Sequence, residues 1–209
     1  MNYHGSSSFG QKFIDSIHGE YGKRELADIE AATGLLARRR YVDARRVFAA
    51  GGSYGGYLVA WMNGRVPQGK YRAYVCHAGC FDWVSMLADD SYPFHAKELG
   101  AWYWKDFAKV EAQNPRAVAK RMATPTLVIH GALDYRVPDA QALQYYNTLK
   151  ARNVPARLVH FPDENHWILK PQNSRLWYRE FFAWLGRFDA GNRARVASQG
   201  TRRAARRTP

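Results

Sequence analysis

The chain has 209 residues, of which 46% are apolar and 14% aromatic, and it carries a formal net charge of +13. Such a composition excludes a disordered protein and supplies enough apolar residues for the core of a single domain. No apolar run approaches the length of a membrane span, so we expect no membrane partner.

The first forty residues predict a loop and then an amphipathic helix. Residues 2–13 contain two glycines and three serines and show no strand pattern. Between residues 23 and 40, apolar side chains recur at helical spacing, at Leu26, Ile29 and Leu36. This helix leads directly into the most informative stretch of the chain.

The stretch 47–57 places a serine between a strand and a helix. Four apolar residues run into Gly-x-Ser-x-Gly around Ser53, which predicts a short strand buried on both faces, and residues 57–62 predict a helix. A serine on so sharp a turn is typical of the nucleophile elbow of α/β hydrolases. The helix would direct its free N–H groups at an oxyanion beside the serine. An ordinary serine in a glycine-rich turn is the alternative, because the pattern alone is weak.

Three more strands and three helical segments alternate along the rest of the chain. The predicted strands cover residues 71–79, 124–131 and 156–162. The predicted helices begin at Asn114-Pro115, at Asp139 and at Ser174. Strands that alternate with helices indicate an α/β fold, a mostly parallel sheet with helices on both faces.

Start and stop signals define the two later helices. The helix 139–152 would begin at Asp139 as its N-cap and end before Asn153. Its predicted buried face comprises Leu143, Tyr146 and Leu149. The helix 174–188 would begin at Ser174 as its N-cap. Its predicted buried stripe comprises Trp177, Phe181, Trp184, Leu185 and Phe188.

Residues 80–115 are irregular and rich in aromatic side chains, which include Trp83, Phe94, Trp102 and Trp104. Such a density of rings could line a substrate pocket or form a satellite of the core, and the sequence supports the two equally. His95 lies in this segment and is a further candidate for the pocket.

Three residues that suit hydrolysis follow predicted strands. Ser53, Asp134 and His166 each lie just beyond the carboxyl end of a strand, where catalytic groups gather in open parallel sheets. Serine, acid and histidine in this order match the triad of an α/β hydrolase. The histidine would take the serine proton and return it to the leaving group, and the carboxylate would fix the histidine tautomer.

Other histidines and acids compete for these roles. Three histidines lie in predicted strands, which favours satisfied core positions for His77, His130 and His160. His4 and His18 precede the elbow and suit a loop or the surface. Asp139 suits a helix N-cap and Asp163 a turn, and the alternative role of Asp134 is that of a turn carboxylate.

These motifs resemble the prolyl oligopeptidase family, within it the branch of dipeptidyl aminopeptidases and acylaminoacyl peptidases. The resemblance extends over about residues 2–186 and rests chiefly on four stretches. The four are Gly51-Gly52-Ser53-Tyr54-Gly55-Gly56-Tyr57, Pro125-Thr126-Leu127-Val128-Ile129-His130-Gly131, Asp134-Tyr135-Arg136-Val137-Pro138 and Phe161-Pro162-Asp163-Glu164-Asn165-His166.

The resemblance implies a serine peptidase that hydrolyses short peptides through an acyl-enzyme on Ser53, without cofactor or metal. It gives the three triad residues the roles described above. It further implies that Tyr54 donates its backbone N–H to the oxyanion, that Arg136 holds a substrate carbonyl, and that Val137 lines the pocket for the residue before the cut.

Parts that the family usually carries ahead of this region do not occur in the sequence. They are an N-terminal β-propeller, the first strands of the hydrolase sheet and the loop with a second oxyanion donor. We therefore expect an N-terminally truncated α/β-hydrolase fold with an open strand edge beside the elbow. Loss of one oxyanion donor costs on the order of 10²–10³ in rate, so we expect weak activity or none from the isolated chain. The alternatives are an esterase-type hydrolase with the same triad and an inactive remnant with a basic tail.

Charge separates residues 189–209 from the predicted catalytic domain, residues 1–188. The segment holds six arginines and one aspartate and almost no large apolar residue, which predicts a disordered tail. A solvated appendage is favoured over nucleic-acid binding, because no nucleic-acid motif accompanies it. The two cysteines, Cys76 and Cys80, make no disulfide framework and favour a reducing, cytoplasmic compartment. The sequence leaves a homo-oligomer open.

Overall fold

Four strands form one parallel sheet in a computed structural model that describes residues 1–189. The predicted tail, apart from Asp189, lies outside these residues. The strands lie side by side in chain order. They are β1 (Ala49–Gly52), β2 (Tyr74–His77), β3 (Thr126–Gly131) and β4 (Ala156–Phe161). Gly52 pairs with His77, and His77 with Ile129, so the carboxyl ends of the first three strands meet at one edge.

Seven α-helices surround this sheet in the described part of the chain. They are α1 (Gln11–Asp15), α2 (Lys23–Ala37), α3 (Tyr54–Asn63), α4 (His95–Leu99), α5 (Phe107–Glu111), α6 (Ala140–Ala151) and α7 (Pro171–Phe188). Short 3₁₀ segments occupy Ser85–Ala88, Tyr92–Phe94 and Pro115–Arg121. Over residues 1–189, no helix combines the length and the apolar character needed to cross a membrane.

Helices cover both faces of the sheet, as the alternation of strands and helices predicts. On one face, Met62 of α3 and Leu149 of α6 share an apolar cluster with Cys76. On the other face, Trp184 of α7 belongs to the cluster that holds Val75. Neighbouring residues of β2 enter different clusters because side chains alternate along a strand.

The elbow strand β1 is not buried on both faces, contrary to the prediction. Ala50 and Gly52 are exposed, and within residues 1–189 β1 has a neighbouring strand on one side only. Ala49 and Ser53 donate their N–H groups to β2 or the residues flanking it. Because alternate residues of a strand direct their backbone groups to opposite sides, Ala50 and Gly52 direct theirs to the open side. The open edge that we expect beside the elbow is therefore present.

The predicted buried face of α6 is partly wrong. Leu149 is buried, but Leu143 is 39% exposed, and Tyr145 is buried more deeply than Tyr146. The Tyr145 hydroxyl accepts a hydrogen bond from Asn63 at 2.8 Å, which gives its polar atom a partner inside the core.

Of the two predicted N-caps, Asp139 is confirmed in position but not as a capping side chain, and Ser174 is wrong. Asp139 occupies the N-cap position of α6, but its carboxylate contacts His160 at 3.0 Å and makes no capping bond. The last helix begins at Pro171, so Ser174 lies inside α7. Proline favours the first turn of a helix because its fixed φ suits that position. Asn153 does follow α6 with a left-handed φ of 57°, as predicted.

Candidate active site

The turn between β1 and α3 holds Ser53 in a strained backbone conformation. Its φ is 56° and its ψ −120°, a combination that residues with a side chain rarely adopt. Its N–H donates to the His77 carbonyl at 2.9 Å. The residue is half-buried, and its hydroxyl does not cap α3. The predicted strand, turn and helix are therefore present, with the serine at their strained corner.

Close packing accounts for two of the glycines around this turn. A Cβ atom on Gly51 would lie 2.2 Å from the carbonyl oxygen of Gly55, and one on Gly56 would lie 2.6 Å from the Cα atom of Gly79. By contrast, a Cβ atom on Gly55 would meet nothing within 4 Å. The tight turn thus requires Gly51 and Gly56, whereas Gly55 has free space around it.

Asp134 and His166 lie in hydrogen-bond contact beyond the carboxyl ends of β3 and β4. The Nδ1 atom of His166 is 2.8 Å from Oδ2 of Asp134, whose side chain is completely buried. His130 places its Nε2 atom 3.1 Å from the same oxygen. The other oxygen, Oδ1, accepts the backbone N–H groups of Arg136 and Val137 at 3.0 and 2.9 Å.

These contacts set the charge of Asp134. Burial by itself raises the pKa of the carboxyl, but hydrogen bonds from His130, His166 and the Val137 N–H outweigh it and hold the pKa well below its usual range. The carboxylate is therefore ionised at neutral pH and accepts the Nδ1–H of His166. In the neutral ring this leaves Nε2 without a hydrogen and able to take up a proton.

The loop that carries His166 is anchored on both sides. A Cβ atom on Gly131 would lie 2.3 Å from the Asn165 carbonyl oxygen, so the loop packs directly on the end of β3. The N–H of Leu133 donates to the Glu164 carbonyl at 2.9 Å. The buried Glu164 carboxylate accepts the N–H of Lys170 at 3.0 Å. These bonds fix the loop before and after the imidazole.

Ser53 and His166 reach the same edge of the sheet. The Ser53 N–H bonds to the His77 carbonyl, and the His77 ring lies 3.3 Å from the His166 carbonyl. Within residues 1–189, the Ser53 hydroxyl makes no hydrogen bond with the His166 ring. The structure thus joins acid and histidine directly and brings the serine to the same edge without such a bond.

Tyr54 opens α3 and is held by a buried carboxylate of α2. Its phenol donates to Glu25, which is completely buried, and its ring lies 5.1 Å from that of Tyr21. Burial and then the Glu25 carboxylate raise the pKa of the Tyr54 phenol far above its ordinary value. Because this side chain is fixed, the backbone N–H beside Ser53 is fixed as well.

A cavity of about 320 Å³ adjoins the turn, with Tyr54 and Arg136 in its wall. Other residues that line it include Trp83, Met86, Phe94, His95 and Glu98. The segment 80–115 therefore contributes to a cavity and also to the core, in which Phe81 is buried. Val137 is buried in the core and does not line this cavity in the described part of the chain.

The family model for the prolyl oligopeptidase family matches residues 1–190. The chain belongs to the prolyl oligopeptidase family. Its curated relatives include a dipeptidyl-peptidase 5 of Porphyromonas gingivalis, 36% identical over 192 residues, and one of Schizosaccharomyces pombe, 35% identical over 183 residues. These alignments cover 90% and 87% of this chain but 28% and 27% of the relatives. The chain thus spans little more than a quarter of their length.

Solved structures show the same fold. An acylaminoacyl peptidase of Pyrococcus horikoshii matches with a TM-score of 0.84 at 23% identity, over 90% of this chain and 31% of that one. A puromycin-hydrolysing peptidase of Mycobacterium tuberculosis matches with a TM-score of 0.83 at 23% identity, and the match covers 90% of this chain and 29% of that one. The α/β-hydrolase fold of this prolyl oligopeptidase family chain is thereby confirmed.

Two histidines for which the sequence favours core positions, His77 and His130, lie at the candidate site. His130 is completely buried, as predicted, but its Nε2 atom faces Asp134 and the Val137 carbonyl, the latter at 2.7 Å, and its Nδ1 atom has no partner. His77 contacts the His166 loop. His77 and His130 each occupy one of the last two positions of a strand. Catalytic groups gather at the carboxyl ends of parallel strands, so the signal that indicates Asp134 could also have indicated these histidines. The third, His160, is not a core residue, because its side chain on the outer strand β4 is 32% exposed.

The remaining prediction concerns the cysteines. Cys76 and Cys80 are both buried free thiols and form no disulfide, in agreement with the absence of a disulfide framework that the sequence indicates. Among residues 1–189, no three His, Cys, Asp or Glu side chains cluster in a way that could hold a metal ion.

Proposed function

We propose that this chain carries the catalytic centre of a serine peptidase that cleaves short peptides through an acyl-enzyme on Ser53. One observation carries the proposal: a serine on a strained elbow shares a sheet edge with a buried, ionised Asp134 bonded to His166. The names of the curated relatives, dipeptidyl-peptidases, support peptides as the substrate class.

In this proposal His166 is the base. Its Nε2 atom takes the hydroxyl proton as the oxygen of Ser53 attacks the peptide carbonyl, and it returns that proton to the leaving amine. A water molecule then attacks the acyl-enzyme by the same route and releases the acid. Asp134 stays ionised and stabilises the imidazolium. The serine-to-histidine hydrogen bond forms when substrate binds, as catalytic hydrogen bonds often tighten in the substrate complex.

Other residues hold the substrate. The backbone N–H of Tyr54, at the positive end of α3, donates to the oxyanion. Arg136 reaches the cavity and holds a substrate carbonyl, while the cavity receives the side chain before the cut. Val137 supports the cavity wall from behind, because it packs in the same apolar cluster as Met86 and Leu99, which line the cavity.

A fluorophosphonate probe tests the proposal on the 209-residue chain. We expect the probe to modify Ser53, as located by mass spectrometry, and the Ser53→Ala variant to remain unmodified. The exposed Ser7→Ala variant is the matched control and should label like the parent chain. The expected labelling is slow, on the order of 10²–10³ below that of a complete oxyanion hole, because Tyr54 is the single donor identified.

Two substrates separate the peptidase from the esterase alternative. Hydrolysis of a peptide anilide that requires Ser53 supports the peptidase, whereas Ser53-dependent turnover of a p-nitrophenyl ester alone favours an esterase. Labelling at a residue other than Ser53 contradicts both.

A further inference from the structure

His77 is the one described residue that bonds to both the serine turn and the loop of the catalytic histidine. Its carbonyl oxygen accepts the N–H of Ser53 at 2.9 Å. Its ring nitrogen Nε2 lies 3.3 Å from the carbonyl oxygen of His166. These two bonds link the proposed nucleophile and the proposed base through a single residue at the end of β2.

A third contact fixes which ring nitrogen carries the hydrogen. The indole Nε1 of Trp177 lies 3.3 Å from Nδ1 of His77, and an indole N–H can only donate. Nδ1 therefore accepts, and the hydrogen of the neutral ring is on Nε2. Because a carbonyl can only accept, this tautomer is the one that bonds to His166.

The surroundings of the ring keep it neutral and in place. Burial is the main cause that lowers the pKa of His77, to about 4, so the ring is uncharged at neutral pH. Trp177 meets it edge to face, with ring centroids 6.0 Å apart, and stacks on Phe181 at 5.0 Å within α7. The helix α7 thus holds the ring of His77, which in turn holds the loop of His166.

We infer that His77 is a positioning residue, which sets the distance between Ser53 and His166 by tying the histidine loop to the serine turn. This inference rests on the proposed function of those two residues. The other backbone bonds of the loop join Glu164 to Leu133, Leu169 and Lys170, and the Trp167 N–H to the Asn165 side chain. The His77 bond differs from these because it is made to the carbonyl of His166 itself and leads to the serine turn. A displacement of about 1 Å in catalytic geometry can cost on the order of 10² in rate.

A pair of substitutions separates the hydrogen bond from the packing of the ring. His77→Phe keeps a ring of similar size but has no donor. His77→Gln loses the ring and keeps an amide N–H near the position of Nε2. If His77 only fills space, the His77→Phe variant should resemble the parent chain more closely. If His77 acts through its hydrogen-bond donor, the His77→Gln variant should.

The first measurement is independent of any activity. Hydrogen exchange of the Trp167 amide is measured in the 209-residue chain by NMR. This N–H donates to the Asn165 side chain at 2.8 Å and belongs to the peptide group whose carbonyl His77 binds, so its exchange reports how often the loop opens. We expect exchange about 10-fold faster in His77→Phe than in His77→Gln, because loss of the bond frees the loop. Trp177→Phe removes the indole donor that bonds to Nδ1 of His77, and it should also make exchange of the Trp167 amide faster than in the parent chain. Equal exchange in all three variants and the parent chain overturns the inference.

The second measurement is the rate of fluorophosphonate labelling at saturating and at limiting probe. We expect His77→Phe to slow the bond-forming step by about 10-fold or more with unchanged probe binding, and His77→Gln to recover most of it. Equal slowing in both variants, or weaker binding at an unchanged bond-forming rate, also overturns the inference. If the parent chain does not label at Ser53, the proposed function fails, and the exchange measurement still decides whether His77 fixes the loop.

Discussion

Asp134 receives four hydrogen-bonding contacts, from two imidazole rings and two backbone N–H groups. A buried carboxylate is costly unless its oxygens are bonded, and here each oxygen has two partners. The second ring, His130, lies on the strand just before the carboxylate and shields it from the core. Asp134 is therefore kept ionised and immobile, which is what a group that orients a base requires.

Substitution of this carboxylate gives the first prediction. Asp134→Asn keeps the shape of the side chain but can donate to His166, which favours the wrong tautomer. We expect the rate of fluorophosphonate labelling at Ser53 to fall by roughly 10³–10⁴. Asp139→Asn is the control, because Asp139 binds His160 outside the site, and it should label at the parent rate. A small effect of Asp134→Asn would argue that His166 is oriented by other groups.

The pKa of His77 gives a prediction for stability against pH. Burial chiefly lowers that pKa to about 4 in the folded protein. The hydrogen bond to the His166 carbonyl and the Asp134 carboxylate act in the opposite direction, and the neighbouring His130 and His166 rings add to the lowering. Between about pH 4 and pH 6.5 the ring of the unfolded chain binds a proton and the folded ring does not, so acid favours unfolding. The stability that the neutral ring contributes is present above pH 6.5 and is lost as the pH falls to about 4.

Urea unfolding of the parent chain and of His77→Gln at several pH values measures this contribution. We expect the free energy of unfolding of the parent chain to fall more steeply from pH 6.5 to 4.5 than that of the variant. Parallel curves would show that the folded and unfolded states bind protons at this ring equally.

At the scale of the element, the strand–turn–helix around Ser53 depends on backbone contact of α3 with β1 and with the residues that follow β2. Gly51 lies against the backbone of Gly55, and Gly56 lies against that of Gly79. Both contacts are below the distance that a Cβ atom needs. The two glycines named in Gly-x-Ser-x-Gly therefore differ, because Gly51 is required by contact and Gly55 is not.

Alanine at each position tests this difference. Gly51→Ala should distort the turn and abolish labelling of Ser53, because its methyl group overlaps a carbonyl that belongs to the helix itself. Gly55→Ala should retain labelling within about 3-fold and unfold at the same or slightly higher urea concentration, since alanine favours helices. Equal loss in both variants would mean that Gly55 is needed for substrate approach.

At the scale of the whole molecule, the open side of β1 is one of the two strand edges that the described sheet presents, the other being the outer side of β4. Beside the β1 edge lies a groove of about 610 Å³, lined by apolar residues that include Ile29, Leu36, Val47 and Phe48. The backbone groups of Ala50 and Gly52 on this side can pair with another strand. The net charge of +13 opposes association of two chains.

We therefore predict that the chain self-associates and that salt increases the effect, because salt screens the repulsion between positive chains. Light scattering at rising protein concentration, with low and high NaCl, measures it. Ala50→Lys places a charge on the open edge and should reduce association. Ala151→Lys adds the same charge at the exposed end of α6 and should reduce it less. Equal effects of the two lysines would assign the change to net charge and not to the edge.

The sequence by itself determined the α/β class, the four strands, the turn at Ser53 and the choice of Asp134 and His166. These follow from local signals: apolar runs, glycines at a tight turn, and polar residues just after strands. The resemblance to the prolyl oligopeptidase family added the expected roles of the site residues, and the observed fold is the α/β-hydrolase fold that the resemblance implies.

Only the tertiary structure decided the exposure of β1, the buried face of α6 and the true start of α7. It also decided that His77 and His130 face the site while His160 faces solvent. These outcomes depend on which residues lie beside one another in space. A histidine in a strand has the same sequence signal whether its ring meets a buried carboxylate, a carbonyl or the solvent-exposed surface, because its partners lie 4, 7, 21 or 89 residues away along the chain.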